Sequence, residues 1–230
     1  MPVAADQAAA RPTNTPEVFV WDPLVRAGHW LLVVLFLAAY FTEDDLLTIH
    51  SWAGYGVGIY LIVRVVWGFI GPKHARFSDF AHGPASAVRY LRQMALFQAK
   101  RYIGHSPAGA LMIFALLICL ALTTVSGLAL LAVDDNAGPL APWLGRGAAV
   151  ENSLPDLALF AATARASDDD EEHGDNDGGI GSDILDEIHE FVSNLTLFLV
   201  VLHIAGVILT SLVHRENLVR AMITGRKRAV

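Results

Sequence analysis

Four stretches of this chain, roughly 23 to 42, 50 to 70, 106 to 133 and 187 to 213, are continuous apolar runs of the length a helix needs to cross a bilayer, about 20 residues. Lipid offers no partner to a backbone N–H or C=O, so a run buried in it must close its own hydrogen bonds. The runs do not alternate as barrel strands do. The fold class expected is therefore an all-α integral membrane four-helix bundle. A content of 54% hydrophobic and 17% charged residues agrees, being too apolar for an ordinary soluble domain.

Residues 1–18 carry no long apolar run and read as a solvated, disordered N-terminal tail; 19–230 form the bundle, with 134–183 inserted as an acidic loop. The first apolar run starts too late and lacks the small-x-small site of a cleaved leader. Lys and Arg then set the direction of insertion. The 71–104 connection holds Lys73, Arg76, Arg89, Arg92, Lys100 and Arg101, and the tail after His214 holds Arg215, Arg220, Arg226, Lys227 and Arg228. The 43–49 turn has Glu43, Asp44 and Asp45 without a cation, and the 134–186 connection has only Arg146 and Arg165. Both termini are thus expected in the cytoplasm and the acidic loop in the periplasm. That loop supplies most of the net charge of −7, and no basic stripe lies outside the cytoplasmic flanks, which argues against nucleic-acid binding. The single cysteine, Cys119, lies inside an apolar run and leaves no Cys-x-x-Cys-His site, so any haem is held non-covalently.

Ionisable groups within a span are costly and mark function. Of nine histidines, four fall at two matched depths. His50 opens the second span and His189 the fourth, both at the outer face. His29 lies fourteen residues before Glu43, and His203 fourteen residues after His189, so both are about 21 Å deep. Fourteen residues fall about 40° short of whole turns, so His189 and His203 share a face. The pairs His29 with His203 and His50 with His189 suit the axial ligation of two stacked haems b, with irons about 20 Å apart. Gly54 and Gly58, at i+4 and i+8 from His50, clear its helix face for a flat macrocycle; tight helix packing explains them equally well. Arg64, fourteen residues after His50, falls at the inner level, where a haem propionate would neutralise it.

The other histidines have plainer readings. His105, before Pro107, is interfacial, near a quinone or propionate or serving as a cap. His214, His74 and His82 are expected to face solvent. His173 lies in the acidic run Asp168 to Asp177, which lacks the spacing of a calcium loop and reads as a solvated segment suited to docking a basic electron carrier. Trp21, Trp30, Trp52, Trp67 and Trp143 sit mostly at span ends, as interfacial anchors do.

The chain resembles the bacterial cytochrome b561 family, which includes the b-type cytochrome subunits of Ni,Fe-hydrogenases. The resemblance rests on Trp21-Asp22-Pro23-Leu24-Val25-Arg26-Ala27-Gly28-His29-Trp30, His50-Ser51-Trp52-Ala53-Gly54-Tyr55, and Arg64-Val65-Val66-Trp67-Gly68-Phe69-Ile70-Gly71-Pro72 with Ala75-Arg76-Phe77. It continues in Gly104-His105-Ser106-Pro107-Ala108-Gly109-Ala110, His189-Glu190, Leu202-His203-Ile204-Ala205-Gly206-Val207, and Glu216-Asn217-Leu218-Val219-Arg220-Ala221-Met222. It implies a dihaem cytochrome of the bacterial inner membrane that exchanges electrons with quinone or quinol, its four ligands falling on His29, His50, His189 and His203. The implied partner is a hydrogenase, another dehydrogenase or a c-type cytochrome; beyond membrane lipid, a homodimer also stays open. The acidic loop departs from the family's compact core. Alternatives are a stand-alone quinone oxidoreductase that accepts electrons from superoxide, a haem-free divalent-metal transporter, for which the spans lack carboxylate ligands, and a structural membrane scaffold.

Overall fold

The computed structural model describes residues 16–43, 46–145 and 180–229. Among them the order is β1 (Glu17–Phe19), α1 (Pro23–Phe41), α2 (Leu47–Ile70), a 3-10 turn (Phe77–Asp79), α3 (Pro84–Ala95), α4 (Pro107–Val133), α5 (Ala141–Leu144), α6 (Ile180–Val213), α7 (Leu218–Thr224) and β2 (Arg226–Arg228). Four helices, α1, α2, α4 and α6, are long and apolar enough to cross a membrane.

The helix starts are written locally. Asp22 caps α1 by accepting hydrogen bonds from the N–H groups of Leu24 at 2.9 Å and Val25 at 3.1 Å, and Pro23 follows at N1. Ser106 caps α4 through the Gly109 N–H at 3.2 Å, again with proline next. Two of the motifs that carry the family resemblance are thus in part helix-start signals. α3 buries Ala87, Tyr90 and Met94, at i, i+3 and i+7, against α4.

α4 packs along α6, α1 packs along α2, and α2 joins the two pairs through α4. Small side chains let α4 and α6 approach: Ser126, Ala129 and Ala132 are buried on one, Ser193 and Thr196 on the other. The Thr123 and Thr196 hydroxyls meet at 3.3 Å between them. Neither α1 nor α2 runs in extended close backbone contact with α6. Side chains bridge that separation at mid-depth, where Phe36, Val57, Leu61 and Leu120 form the core, with Leu197 and Val200 of α6 packed on it. Tyr40 donates a hydrogen bond to Asn194 Oδ1 at 3.0 Å. Outward-facing residues such as Val34, Ile62, Phe69, Leu122, Phe198 and Leu212 are exposed on all four helices, as a lipid-facing belt requires.

The first and last described segments and the 71–104 connection meet at one end of the bundle. β1 pairs antiparallel with β2, placing Glu17 opposite Arg228 and Phe19 opposite Arg226. Gly225 turns α7 into β2 at φ +79°, a conformation open to glycine without strain, and its carbonyl accepts from Val20 N at 2.8 Å and Trp21 N at 3.2 Å. Arg101 holds Glu216 by two bonds, Nη2 to Oε1 at 2.8 Å and Nε to Oε2 at 3.3 Å. Lys227 Nζ lies 3.4 Å from Glu216 Oε2 and donates to the Tyr102 carbonyl at 3.0 Å. Burial alone would push the Glu216 carboxyl up, but Arg101 and Lys227 overcome this and hold it below the usual carboxylate range.

Several expectations need correction. The solvated tail over 1–18 cannot reach residue 18, because Glu17–Phe19 is a strand; residues 1–15 lie outside the described part. α6 begins at Ile180 rather than 187, so His189 sits nine residues inside it rather than opening it. Hydropathy misses this extension because Asp183, Asp186 and Glu187 make it polar, although acidic residues near a helix N-terminus favour helix formation. His214 is not simply solvent-facing, for its Nε2 lies 3.4 Å from the Tyr90 hydroxyl. The acidic run Asp168 to Asp177 with His173, together with Asp44, Asp45, Arg146 and Arg165, lies outside the described residues.

Candidate functional site

The outer pair is brought face to face. The imidazoles of His50 on α2 and His189 on α6 have ring centres 6.1 Å apart, with planes inclined at 74°. Imidazole nitrogen binds a first-row metal at about 2 Å, so two rings on opposite sides of one ion have centres about 6 Å apart. Each ring is also aimed. His50 Nδ1 is 2.9 Å from the Ala39 carbonyl, which can only accept, so this nitrogen carries the proton and Nε2 keeps its lone pair. His189 Nδ1 is 2.9 Å from the Ser126 hydroxyl. These are the outer-shell bonds that orient a metal-bound imidazole.

A cleft opens beside the two rings. It is lined by Phe36, Tyr40, Gly54, Val57, Leu120, Leu131 and others, and holds about 720 Å³ of space unfilled by protein, counting its open mouth. Gly54 faces into this space, and a Cβ there would meet nothing within 4 Å. Gly58 differs, because its missing side chain is replaced by Thr124 Cγ2 of α4, 3.1 Å from where a Cβ would stand. Gly58 therefore serves helix packing, and of the two glycines only Gly54 leaves open space beside it.

The inner pair lies on α1 and α6. His29 and His203 are half-buried and within electrostatic range of each other. His29 Nδ1 is enclosed without a hydrogen-bond partner, and Gly206, three residues after His203, borders open space. Arg64 and His203 each follow a histidine of the first pair by fourteen residues, on the helices α2 and α6 that run in the same direction. Arg64 therefore reaches the level of His203. It is 5% exposed; its guanidinium carbon stands 4.8 Å from the Phe77 ring centre, and its Nη1 is buried without a partner. A buried cation is costly unless an anion completes it; the Asp22 carboxylate lies within electrostatic range of Arg64 but leaves Nη1 without a hydrogen bond.

His105 lies between Trp21, at 4.6 Å between ring centres, and Phe80, at 4.3 Å. Burial, and then the Arg64 cation, push its pKa down to about 3, so the ring is neutral at physiological pH. Its Nδ1 is enclosed and unpartnered. It is packed into the basic end rather than set loosely at an interface. His74 and His82 belong to the same end, and His82 Nδ1 bonds the Phe80 carbonyl at 2.7 Å.

Sequence reasoning missed Ser126 and Gly127. A Cβ on Gly127 would stand 2.9 Å from His189 Cε1, closer than such atoms come, so glycine is what lets the imidazole lie against α4. The available signal was the polar and small cluster Thr123, Thr124, Ser126 and Gly127 within the most apolar of the four spans.

The residues present fit the ligation of haem at the outer level, by ring spacing, oriented nitrogens and open space. At the inner level the enclosed His29 and Arg64 nitrogens await partners. Comparison with known proteins points the same way. The model of a family described as prokaryotic cytochrome b561 matches residues 20–225. A protein named probable Ni/Fe-hydrogenase B-type cytochrome subunit from Bradyrhizobium diazoefficiens is 26% identical over 156 residues, 56% of this chain and 63% of that protein. Its namesake from Rhizobium leguminosarum bv. viciae is 27% identical over 134 residues, 46% and 55%, and that from Azotobacter vinelandii 30% over 143 residues, 50% and 60%. The chain thus spans less than two thirds of the length of these relatives. No solved structure matches it.

Proposed function

The chain belongs to the prokaryotic cytochrome b561 family, and from that premise we propose that it is a dihaem membrane electron carrier linking the quinone pool to a redox partner across the bilayer. Membership makes it a b-type cytochrome, and four span-length helices make it a multi-pass membrane protein. The observation that carries the finer reading is the opposed His50 and His189 pair, 6.1 Å between ring centres, with a second histidine pair about 20 Å deeper on an ideal-helix count. His29 and His203 would hold the inner haem, and His50 and His189 the outer. When bound, each haem supplies a one-electron iron couple, which two imidazole ligands keep low-spin so that electron transfer needs little rearrangement.

The protein's own part is placement and field. Two hydrogen-bonded imidazoles fix the outer ligand set, and the layer of Phe36, Val57, Leu61 and Leu197 separates the two levels. Arg64 offers its free Nη1 to a haem propionate at the inner level. The basic end, where Arg64 and His105 lie, is the proposed cytoplasmic side by the distribution of Lys and Arg, and we place quinone exchange near it. The partner suggested by the relatives' names is a Ni/Fe-hydrogenase, which we place on the opposite, periplasmic side. Membership in a cytochrome family speaks against the haem-free transporter.

Purified protein should show a Soret band that sharpens on reduction, with α and β bands, and two haems b per chain by extraction. A featureless spectrum on protein supplied with haem during expression would reject the reading. Isolation with a stoichiometric hydrogenase would support the subunit role. Unaided reduction of a quinone analogue by the purified chain would favour an independent oxidoreductase.

Gly127→Ala is a sharper local test. The added methyl collides with His189 Cε1, and a ring already tied to Ser126 can retreat only by giving up its aim. Affinity at the outer site should drop about tenfold, the lower end of the range for lost outer-shell support, with the inner haem retained. Unchanged loading at limiting haem would show that the ring is not held as described.

A further inference from the structure

We propose that Ser126 of α4 is a positioning residue that fixes the tautomer and plane of His189 and so lowers the reduction potential of the outer haem alone. The proposal rests on the dihaem reading and goes beyond it, because ligand pairing does not require a serine on a helix that carries no ligand.

The hydrogen bonds assign the proton. Ser126 Oγ is 3.1 Å from the Thr123 carbonyl and 2.9 Å from His189 Nδ1. A hydroxyl has one hydrogen to donate, and a carbonyl can only accept. The hydroxyl hydrogen therefore goes to Thr123, and the oxygen's lone pair accepts from His189 Nδ1–H. Nε2 is left unprotonated, as iron ligation needs.

The plane is fixed as well as the tautomer. A side chain at 127 would stand against Cε1, so glycine there leaves the ring between its bond to Ser126 and the bare backbone beside it. His50 is tied to the Ala39 carbonyl of α1. With each outer ligand anchored to the adjacent ligand-free or antiparallel helix, the rings stay crossed at 74°. The inner His29 has no such acceptor, since its Nδ1 is enclosed without a partner.

The effect on potential has a definite sign. An imidazole that donates a strong hydrogen bond through Nδ1–H is the more electron-rich through Nε2, and that favours ferric over ferrous iron. Removing the acceptor makes the ligand a weaker donor and raises the potential. Crossed axial planes also give a strongly anisotropic low-spin electron paramagnetic resonance signal, distinct from the rhombic signal of parallel planes.

The test is a redox titration of the intact membrane protein in detergent, with resonance spectra of the oxidised form, for wild type, Ser126→Ala and Ser126→Thr. In Ser126→Ala the outer haem should become about tenfold easier to reduce, which is about 59 mV for one electron. Its anisotropic signal should move while the inner haem stays put. Ser126→Thr keeps the hydroxyl and should restore both readings.

An unmoved outer potential in Ser126→Ala, equal shifts in both haems, or the same shift in Ser126→Thr overturns the proposal. Should Ser126→Ala shed the outer haem, its retention at the wild-type potential in Ser126→Thr supports the role, and its loss from both variants overturns it. A wild-type protein that holds fewer than two haems refutes the dihaem reading instead, so the two failures are separable.

Discussion

Replacing either His50 or His189 with alanine is expected to remove the same single haem and leave the other spectrally intact, and His29→Ala and His203→Ala should each remove the second one. Haem content per chain should fall from two to one in all four variants. Difference spectra should sort the variants into two matching sets. The reasoning is geometric: His50 faces His189 at 6.1 Å, whereas both are separated from the inner pair by a packed layer. Phe36 lies seven residues beyond His29, Val57 seven beyond His50 and Leu197 eight beyond His189. Losing one ligand should therefore not open the other site. If every variant lost both haems, the pairing would have no support, and grouping of His50 with His203 would replace it by a different one.

Glu216→Gln is expected to destabilise the basic end by about 3 to 5 kcal/mol, the range for removing one partner from a buried ion pair. Glu216 receives Arg101 and Lys227 together, and its side chain and that of Lys227 are 7% and 4% exposed. Glutamine keeps the shape but leaves the Lys227 ammonium without its counter-charge, and burial already pushes the Lys227 pKa down against the pull of Glu216. The clasp joins the 71–104 connection to the C-terminal ribbon, so the variant should show a lower thermal midpoint and faster proteolysis after Gly225.

The pH dependence follows from the same carboxylate. Because its folded pKa is held below its unfolded value, the stability it contributes is complete above the unfolded value of about 4.3 and is lost as pH falls through the folded one. Wild-type protein should lose midpoint temperature below about pH 4, while Glu216→Gln should lack that component. A variant as stable as wild type, with the same acid limb, would mean that the clasp contributes nothing.

Reading the residues found the spans well and their surroundings poorly. Trp21-Asp22-Pro23 and His105-Ser106-Pro107 announce helix starts because capping is a matter of adjacent residues. His189 was placed at a helix end because hydropathy records only the apolar part of α6, and its polar extension from Ile180 carries no lipid signal. Gly54 and Gly58 looked equivalent, yet one borders open space and the other meets Thr124, a difference that depends on where α4 passes.

The sequence by itself determined that four helices are long and apolar enough to cross a membrane and that four histidines are spaced for two levels, because rise, period and the cost of charge in lipid are properties of the chain alone. Only the tertiary structure decided that Ser126 and Gly127 receive His189, that Ala39 orients His50, and that Lys227 is buried against Glu216. Each of these depends on the rotation of one element about its axis and on a partner far away in sequence, which local periodicity does not encode.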